Sequence, residues 1–252
     1  MLETLLIPYC ILSQDEQQAS IQMDQAINEM NRTGIPYAIV VKKGTFGKYA
    51  IQATIASDYE LSRERAVQLI VEQLKGDEVI VSTTGKTSRE LFECRAAMGH
   101  PHHSDFLTVG SMGHASQIAL GIALSKPGKK VICVDGDGAV LMHMGGLAII
   151  GSMAPDNYIH IVINNAAHES VGGQPTVGAE IDLVSIAKAN GYASANSVSS
   201  ANALSETLAA VSKQMCPALI EVKVRIGSRG DLGRPTIKPI DNKKDFMNNL
   251  EA

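Results

Sequence analysis

The apolar run Val131-Ile132-Cys133-Val134 ends in Asp135-Gly136-Asp137-Gly138, and a second run, Ile159-His160-Ile161-Val162-Ile163, ends in Asn164-Asn165. Strands apolar at consecutive rather than alternate positions are buried on both faces, the situation of a parallel sheet covered by helices. In such a sheet the carboxyl ends of neighbouring strands share one edge, where ligands bind. Asp137 then offers a carboxylate and Asn165 a carboxamide at the same edge. A hard divalent cation such as magnesium takes oxygen ligands in octahedral geometry and divides them among one or two protein groups, water and a phosphate. Asp137 supplies charge, Asn165 a neutral oxygen, and a backbone carbonyl just beyond the Asn pair, at Ala167, a third ligand. Gly136 and Gly138 let the chain turn sharply, so that N–H groups at the start of the next helix, through Ala139, approach phosphate oxygens. The competing reading of 135–138 is a polar turn after a strand.

Other ion and phosphate motifs fail on spacing. A calcium loop counted from Asp135 needs a bidentate Glu at its twelfth position, where Gly146 stands. Gly85-Lys86-Thr87 resembles the end of a phosphate loop, but Ile80 occupies the place of its first glycine. The first strand-turn-helix also lacks Gly-x-Gly-x-x-Gly, which weakens a nicotinamide-binding alternative.

Gly136-Asp137-Gly138, an interval from 139 to 163, then Asn164-Asn165 resembles the thiamine diphosphate motif. The likeness extends to Gly110-Ser111-Met112-Gly113, which is similar to a segment of thiamine diphosphate decarboxylases. It implies that the Gly110 carbonyl receives the 4′-amino group of the cofactor and that Met112 wedges between its two rings. As a residue type Met112 serves equally as a gap-filling core side chain. Thr84-Gly85, in the loop before a helix, resembles the segment that touches the diphosphate, and it also suits an ordinary helix start.

Beyond the Asn pair, the family narrows. Pyruvate decarboxylases carry a Glu where this chain has Val171, whereas His168-x-Ser170-x-Gly172-Gly173-Gln174-x-Thr176 resembles phosphonopyruvate decarboxylase and its relative sulfopyruvate decarboxylase. The segment from Gly227 to Pro235 adds to the resemblance; Ala166-Ala167, where a glycine is expected, departs from it. His168 is a candidate to relay protons or bind substrate, the tasks for which histidine is the usual residue type at neutral pH, against the alternative of an ordinary polar-loop histidine. Arg229 and Arg234 are candidates to grip a phosphonate in bidentate fashion, or are solvated side chains. The substrate implied is a 2-oxoacid, phosphonopyruvate, decarboxylated to phosphonoacetaldehyde, with sulfopyruvate as the rival. A non-catalytic assembly partner that keeps the fold is the reading from another class.

The rest of the chain sets the frame. Helical periodicity is expected over 15–32, 86–98, 113–125, 140–152, 182–190 and 200–214, with strands over 35–41, 79–81, 106–109 and 218–224. A capping box, Ser57-x-x-Glu60, opens an amphipathic pattern running to Lys75. The expectation is an α/β doubly wound parallel sheet with helices on both faces, the thiamine diphosphate-binding fold. The likeness places the tail of a pyrimidine-binding domain plus linker at 1–56, a diphosphate-binding domain at 57–230 and a C-terminal tail at 231–252. In the family resembled, the Glu that activates the cofactor sits early in the pyrimidine-binding domain, and Glu3, Glu16 and Glu29 lie in no matching context. A pyrimidine-binding subunit or domain is therefore an expected partner, in an oligomer with the cofactor at an interface. With 22 basic and 26 acidic residues the net charge is −4, which argues against nucleic acid. No apolar stretch is long enough to span a bilayer, and the first residues lack a basic leader. Cys10, Cys94, Cys133 and Cys216 are far apart, as expected of free thiols in a reducing cytoplasm.

Overall fold

The computed structural model describes residues 1–47, 57–211 and 216–251. The chain divides into two units, Met1–Ala50 and Ile51–Ala252, with the division inside the segment expected as a linker. In the first unit, β1 (Tyr9–Ile11) and β2 (Ala38–Val40) pair in parallel across α1 (Glu16–Thr33). The Asp15 carboxylate caps α1 by accepting from the Gln18 N–H at 2.8 Å, and Gly34 ends it in the left-handed conformation that favours glycine. Expected linker residues 48–56 lie outside the described residues.

The second unit runs α2 (Arg63–Glu72), β3 (Val79–Ser82), α3 (Lys86–Ala97), β4 (Asp105–Leu107), α4 (Ala115–Ser125), β5 (Val131–Gly136), α5 (Asp137–Met142), α6 (Gly145–Met153) and β6 (Tyr158–Asn164). A small antiparallel pair follows, β7 (Ala167–His168) with β8 (Gln174–Pro175), then α7 (Leu183–Ala189), β9 (Ser194–Val198), α8 (Ala201–Val211), β10 (Ala218–Lys223) and α9 (Pro239–Glu251). Six strands form one sheet in the order β4-β3-β5-β6-β10-β9, every pair parallel. This is the expected doubly wound α/β fold. Val79, Val81, Val131, Cys133 and Leu219 pack on one face with residues of α4, α6, α7 and α9. Their neighbours Ile80, Ile132, Val134 and Ile220 pack on the other with α2, α3 and α8. The two-residue period of strand side chains, applied to unbroken apolar runs, produces both layers at once. The chain leaves β3 toward β4 and returns across it to β5, so the order reverses between β3 and β5 and opens a crevice at their carboxyl ends.

Several expectations need correction. The capping box at 57–60 does not start a helix: the Arg225 N–H donates to the Leu61 carbonyl at 2.9 Å, which holds the segment extended beside the end of β10. Ser62 is the cap instead, accepting from the Arg65 N–H at 3.2 Å. The single helix expected over 140–152 is two, α5 and α6, broken around His143 and Met144. The polar edge strand β9 and the short β1 were not expected. Residues 231–252, expected as a tail, carry α9, whose Phe246 and Leu250 are buried. Of the helix expected over 200–214, α8 accounts for 201–211, and 212–214 lie outside the described residues. The four cysteines are free, and no described helix is long and apolar enough to cross a membrane.

Candidate functional site

Pairing of Gly136 with Ile163 in the β5–β6 register brings Asp137 beside the Asn pair that ends β6. Asp137 is 3% exposed. Its carboxylate accepts from the Thr176 hydroxyl, which in turn accepts from the Gly178 N–H at 3.1 Å. Burial pushes the Asp137 carboxyl above the usual aspartate value, while Thr176 and the N–H groups of Gly138 and Asn165 pull it part of the way back. Among the described residues no basic side chain pairs with it. A buried carboxylate in that position is relieved by a cation. The other Asp of the motif, Asp135, lies fully buried in a separate cluster with Cys133 and His160.

The two asparagines divide their tasks. Asn164 braces the loop, donating to the Gly178 carbonyl at 2.7 Å and Glu221 at 2.8 Å while accepting from the Ala166 N–H at 3.0 Å. Asn165 lines the cavity, donates to Glu169 at 2.9 Å and accepts from the Ala167 N–H at 3.1 Å. Ala166, between them and Ala167, has φ 54°, the left-handed region where glycine is at ease and alanine is not.

One cavity is lined by Thr84, Gly85, Met112, Gly136, Asp137, Gly138, Ala139, Asn165, Ala167 and His168. A Cβ on Gly138 would lie 2.6 Å from His168 Cε1 and 3.2 Å from Met112 Cε, so the missing side chain is what lets both residues close over the motif. Gly110 and Ser111 are not part of that lining. Arg234 lines a neighbouring cavity that shares Thr84 and Gly85 with the first. Arg229 is elsewhere, tied to Glu64 at 2.8 Å, to Glu93 and to Asp231 at 3.3 Å.

Sequence reasoning missed the charge network that frames the cavity. Glu169 accepts from Arg63 at 2.6 Å and from Lys86 at 2.9 Å, and Arg63 also forks onto Glu90 at 2.6 and 2.8 Å. Burial raises the Glu169 carboxyl, but the Lys86 ammonium and Arg63 guanidinium outweigh it and hold it below the usual glutamate value. Lys86 opens α3, which has Gly85 at its cap and no side chain satisfying its first amides. Only proximity to a motif marks Lys86 and Thr176 in sequence, and nothing marks Arg63, which is 106 positions from Glu169. Asp137, Asn165 and Ala167 line one cavity with Arg63, Lys86 and the uncapped start of α3, a set of residue types that suits an anion and its metal.

The family described as thiamine pyrophosphate enzyme, C-terminal TPP binding domain, matches residues 83–222. This chain belongs to that family. The stretch typical of thiamine pyrophosphate enzymes thus holds both the Gly136-Asp137-Gly138 turn and the Asn pair. The phosphonopyruvate decarboxylase of Streptomyces viridochromogenes is 40% identical over 185 residues, covering 73% of this chain and 45% of the relative. The sulfopyruvate decarboxylase subunit beta of Methanocaldococcus jannaschii is 38% identical over 182 residues, covering 72% of this chain and 93% of that subunit. The chain spans about half the length of the phosphonopyruvate decarboxylases it matches. A solved structure from Mycobacterium smegmatis, assigned as a thiamin diphosphate-dependent enzyme, superposes with a TM-score of 0.56 at 17% identity, over 86% of this chain and 44% of the other; it shares the fold.

Proposed function

We propose that this chain is the thiamine diphosphate- and magnesium-binding part of a 2-oxoacid decarboxylase that converts phosphonopyruvate to phosphonoacetaldehyde and carbon dioxide. The observation that carries the reading is the buried Asp137 carboxylate, without a basic partner, on a cavity it shares with Asn165 and Ala167. Asp137, the Asn165 side-chain oxygen and the Ala167 carbonyl would hold the magnesium ion. Thr84, Gly85 and the backbone from Gly136 to Ala139 would receive the diphosphate. The Gly110-Ser111-Met112 loop would seat the pyrimidine and thiazolium rings, Met112 between them and the Gly110 carbonyl on the amino group. When bound, the cofactor supplies the electron sink for the pair released with carbon dioxide. His168 would hold or pass a proton from its imidazole nitrogens, and Arg234 would contact the acid end of the substrate. Arg229, engaged by carboxylates, reaches substrate only if those pairs open. The activating Glu would come from a pyrimidine-binding subunit or domain in an oligomer, and a cytoplasmic location belongs to the same proposal.

Calorimetric titration tests it. Saturable, magnesium-dependent thiamine diphosphate binding is expected, lost in Asp137→Ala. No heat and no thermal shift with the unaltered chain would favour a non-catalytic assembly partner. A second reading, a sulfopyruvate decarboxylase beta-type subunit, is favoured by coverage of 93% of such a subunit. Turnover of the two acids by the complete enzyme separates them, and mass spectrometry of the native complex identifies the partner.

A further inference from the structure

Every arginine but two has a partner. Arg32, Arg63, Arg65, Arg95 and Arg229 pair with carboxylates, and Arg225 donates to the Glu60 carbonyl. Among the described residues Arg89 and Arg234 have neither an ion pair nor a hydrogen bond. Both line the same cavity of about 250 Å³, which has no carboxylate in its wall. Its other polar side chains are already committed to the protein: Thr84 donates to the Val109 carbonyl and Thr108 to the Ser82 carbonyl, both at 2.7 Å. Ser88 donates to the Thr83 carbonyl at 2.7 Å, and Asn242 bridges β4. Leu107, Val109 and Ile237 make the remainder of the wall apolar, which strengthens an ion pair formed there. The cavity also shares Thr84 and Gly85 with the cavity of Asp137 and Met112.

We infer that Arg89 and Arg234 form the acid subsite of the enzyme, built for a tetrahedral dianion carried on the substrate. This rests on the decarboxylase reading above. Two unpaired guanidiniums, with no carboxylate to offset them, match a phosphonate that carries up to two charges better than a sulfonate that carries one. The subsite thus selects a 3-phosphono-2-oxoacid. Arg89, on α3 beside the Thr84-Gly85 turn, would set the distance from acid group to reacting carbonyl.

The full chain, titrated by calorimetry with phosphonoacetate and with sulfoacetate at about pH 8, where a phosphonate nears its dianion, provides the test. Thiamine diphosphate with magnesium is titrated in parallel. Phosphonoacetate is expected to bind more tightly than sulfoacetate, and Arg89→Ala and Arg234→Ala each to weaken it by about tenfold or more. Arg89→Lys should recover only part of the loss, because an ammonium cannot fork onto two oxygens. Cofactor affinity should stay unchanged in all three variants, which also shows that they fold. No phosphonoacetate binding, binding indifferent to both arginines, or tighter binding of sulfoacetate would each overturn the subsite. Failure of cofactor binding in the unaltered chain would instead overturn the decarboxylase reading.

Discussion

At Gly178 a single methyl group decides whether the buried carboxylate keeps its place. A Cβ there would lie 2.7 Å from Asp137 Oδ2 and 2.9 Å from Asn164 Oδ1. Neither oxygen is a free chain end, since Thr176 fixes Asp137 and the Ala166 N–H fixes Asn164. Gly178→Ala is expected to turn Asp137 aside and to cut the magnesium-dependent thermal shift with thiamine diphosphate by more than half, with an unchanged circular dichroism spectrum. An undiminished shift would show that Asp137 does not need this geometry. Glu169 makes a pH-dependent contribution whose sign follows from its position. Its carboxyl is held below the usual glutamate value in the folded chain, so the stabilisation is full above the unfolded value and fades as pH falls through the lowered one. Glu169→Gln should therefore melt below the unaltered protein at neutral pH, and the gap should close below about pH 4, under the ordinary glutamate value. A gap that widened with acid would contradict the ion pairs to Lys86 and Arg63.

Strands were most legible where burial was two-sided, at the centre of the sheet. Val131 to Val134 and Ile159 to Ile163 announce central strands because every position except His160 is apolar. In contrast, β9 (Ser-Ala-Asn-Ser-Val) is an edge strand whose polar residues mask its period. The break between α5 and α6 hid inside continuous helical pattern; Gly145-Gly146 opens α6 just after it, where a Cβ on Gly146 would meet Gln117 Nε2 of α4 at 2.6 Å. The Asp137 and Asn165 pair was legible because two strand ends share one sheet edge, whereas the Arg63–Glu169 pair depends on how α2 packs. Helix α9 shows the same limit, with few buried residues along a charged sequence. Its hold on the sheet is specific, because Asn242 accepts from the Leu107 N–H at 3.1 Å and donates to the Asp105 carbonyl at 2.8 Å, satisfying the open edge of β4. Phe246 packs on Phe106 with ring centroids 5.6 Å apart and is 2% exposed. Phe246→Ala should cost about 3–5 kcal/mol in denaturant unfolding. A cost below about 0.5 kcal/mol, the range of surface changes, would mean that the segment behaves as a tail after all.

At the scale of the molecule, the two units differ in self-sufficiency. The second unit buries its parallel sheet between two helical layers. In the first, β1 and β2 form a parallel pair of three residues each, and Leu6, Ile11, Ile21, Met30 and Phe46 are all exposed. Parallel strands are normally covered on both faces, and two strands alone are marginal in water. A covering surface is therefore expected, and we propose that the pyrimidine-binding partner suggested above provides it, since that partner would also bring the activating Glu to the cofactor. Two outcomes follow for the purified chain. Alone, it should bind thiamine diphosphate and magnesium yet release no carbon dioxide from phosphonopyruvate, and adding the partner should restore turnover. Hydrogen exchange at Tyr9–Ile11 and Ala38–Val40 should slow on the same addition, because edge amides that exchange freely become paired or covered. Turnover by the chain alone would place the activating carboxylate within these 252 residues. Restored turnover without protection of β1 and β2 would move the partner's docking surface elsewhere on the chain.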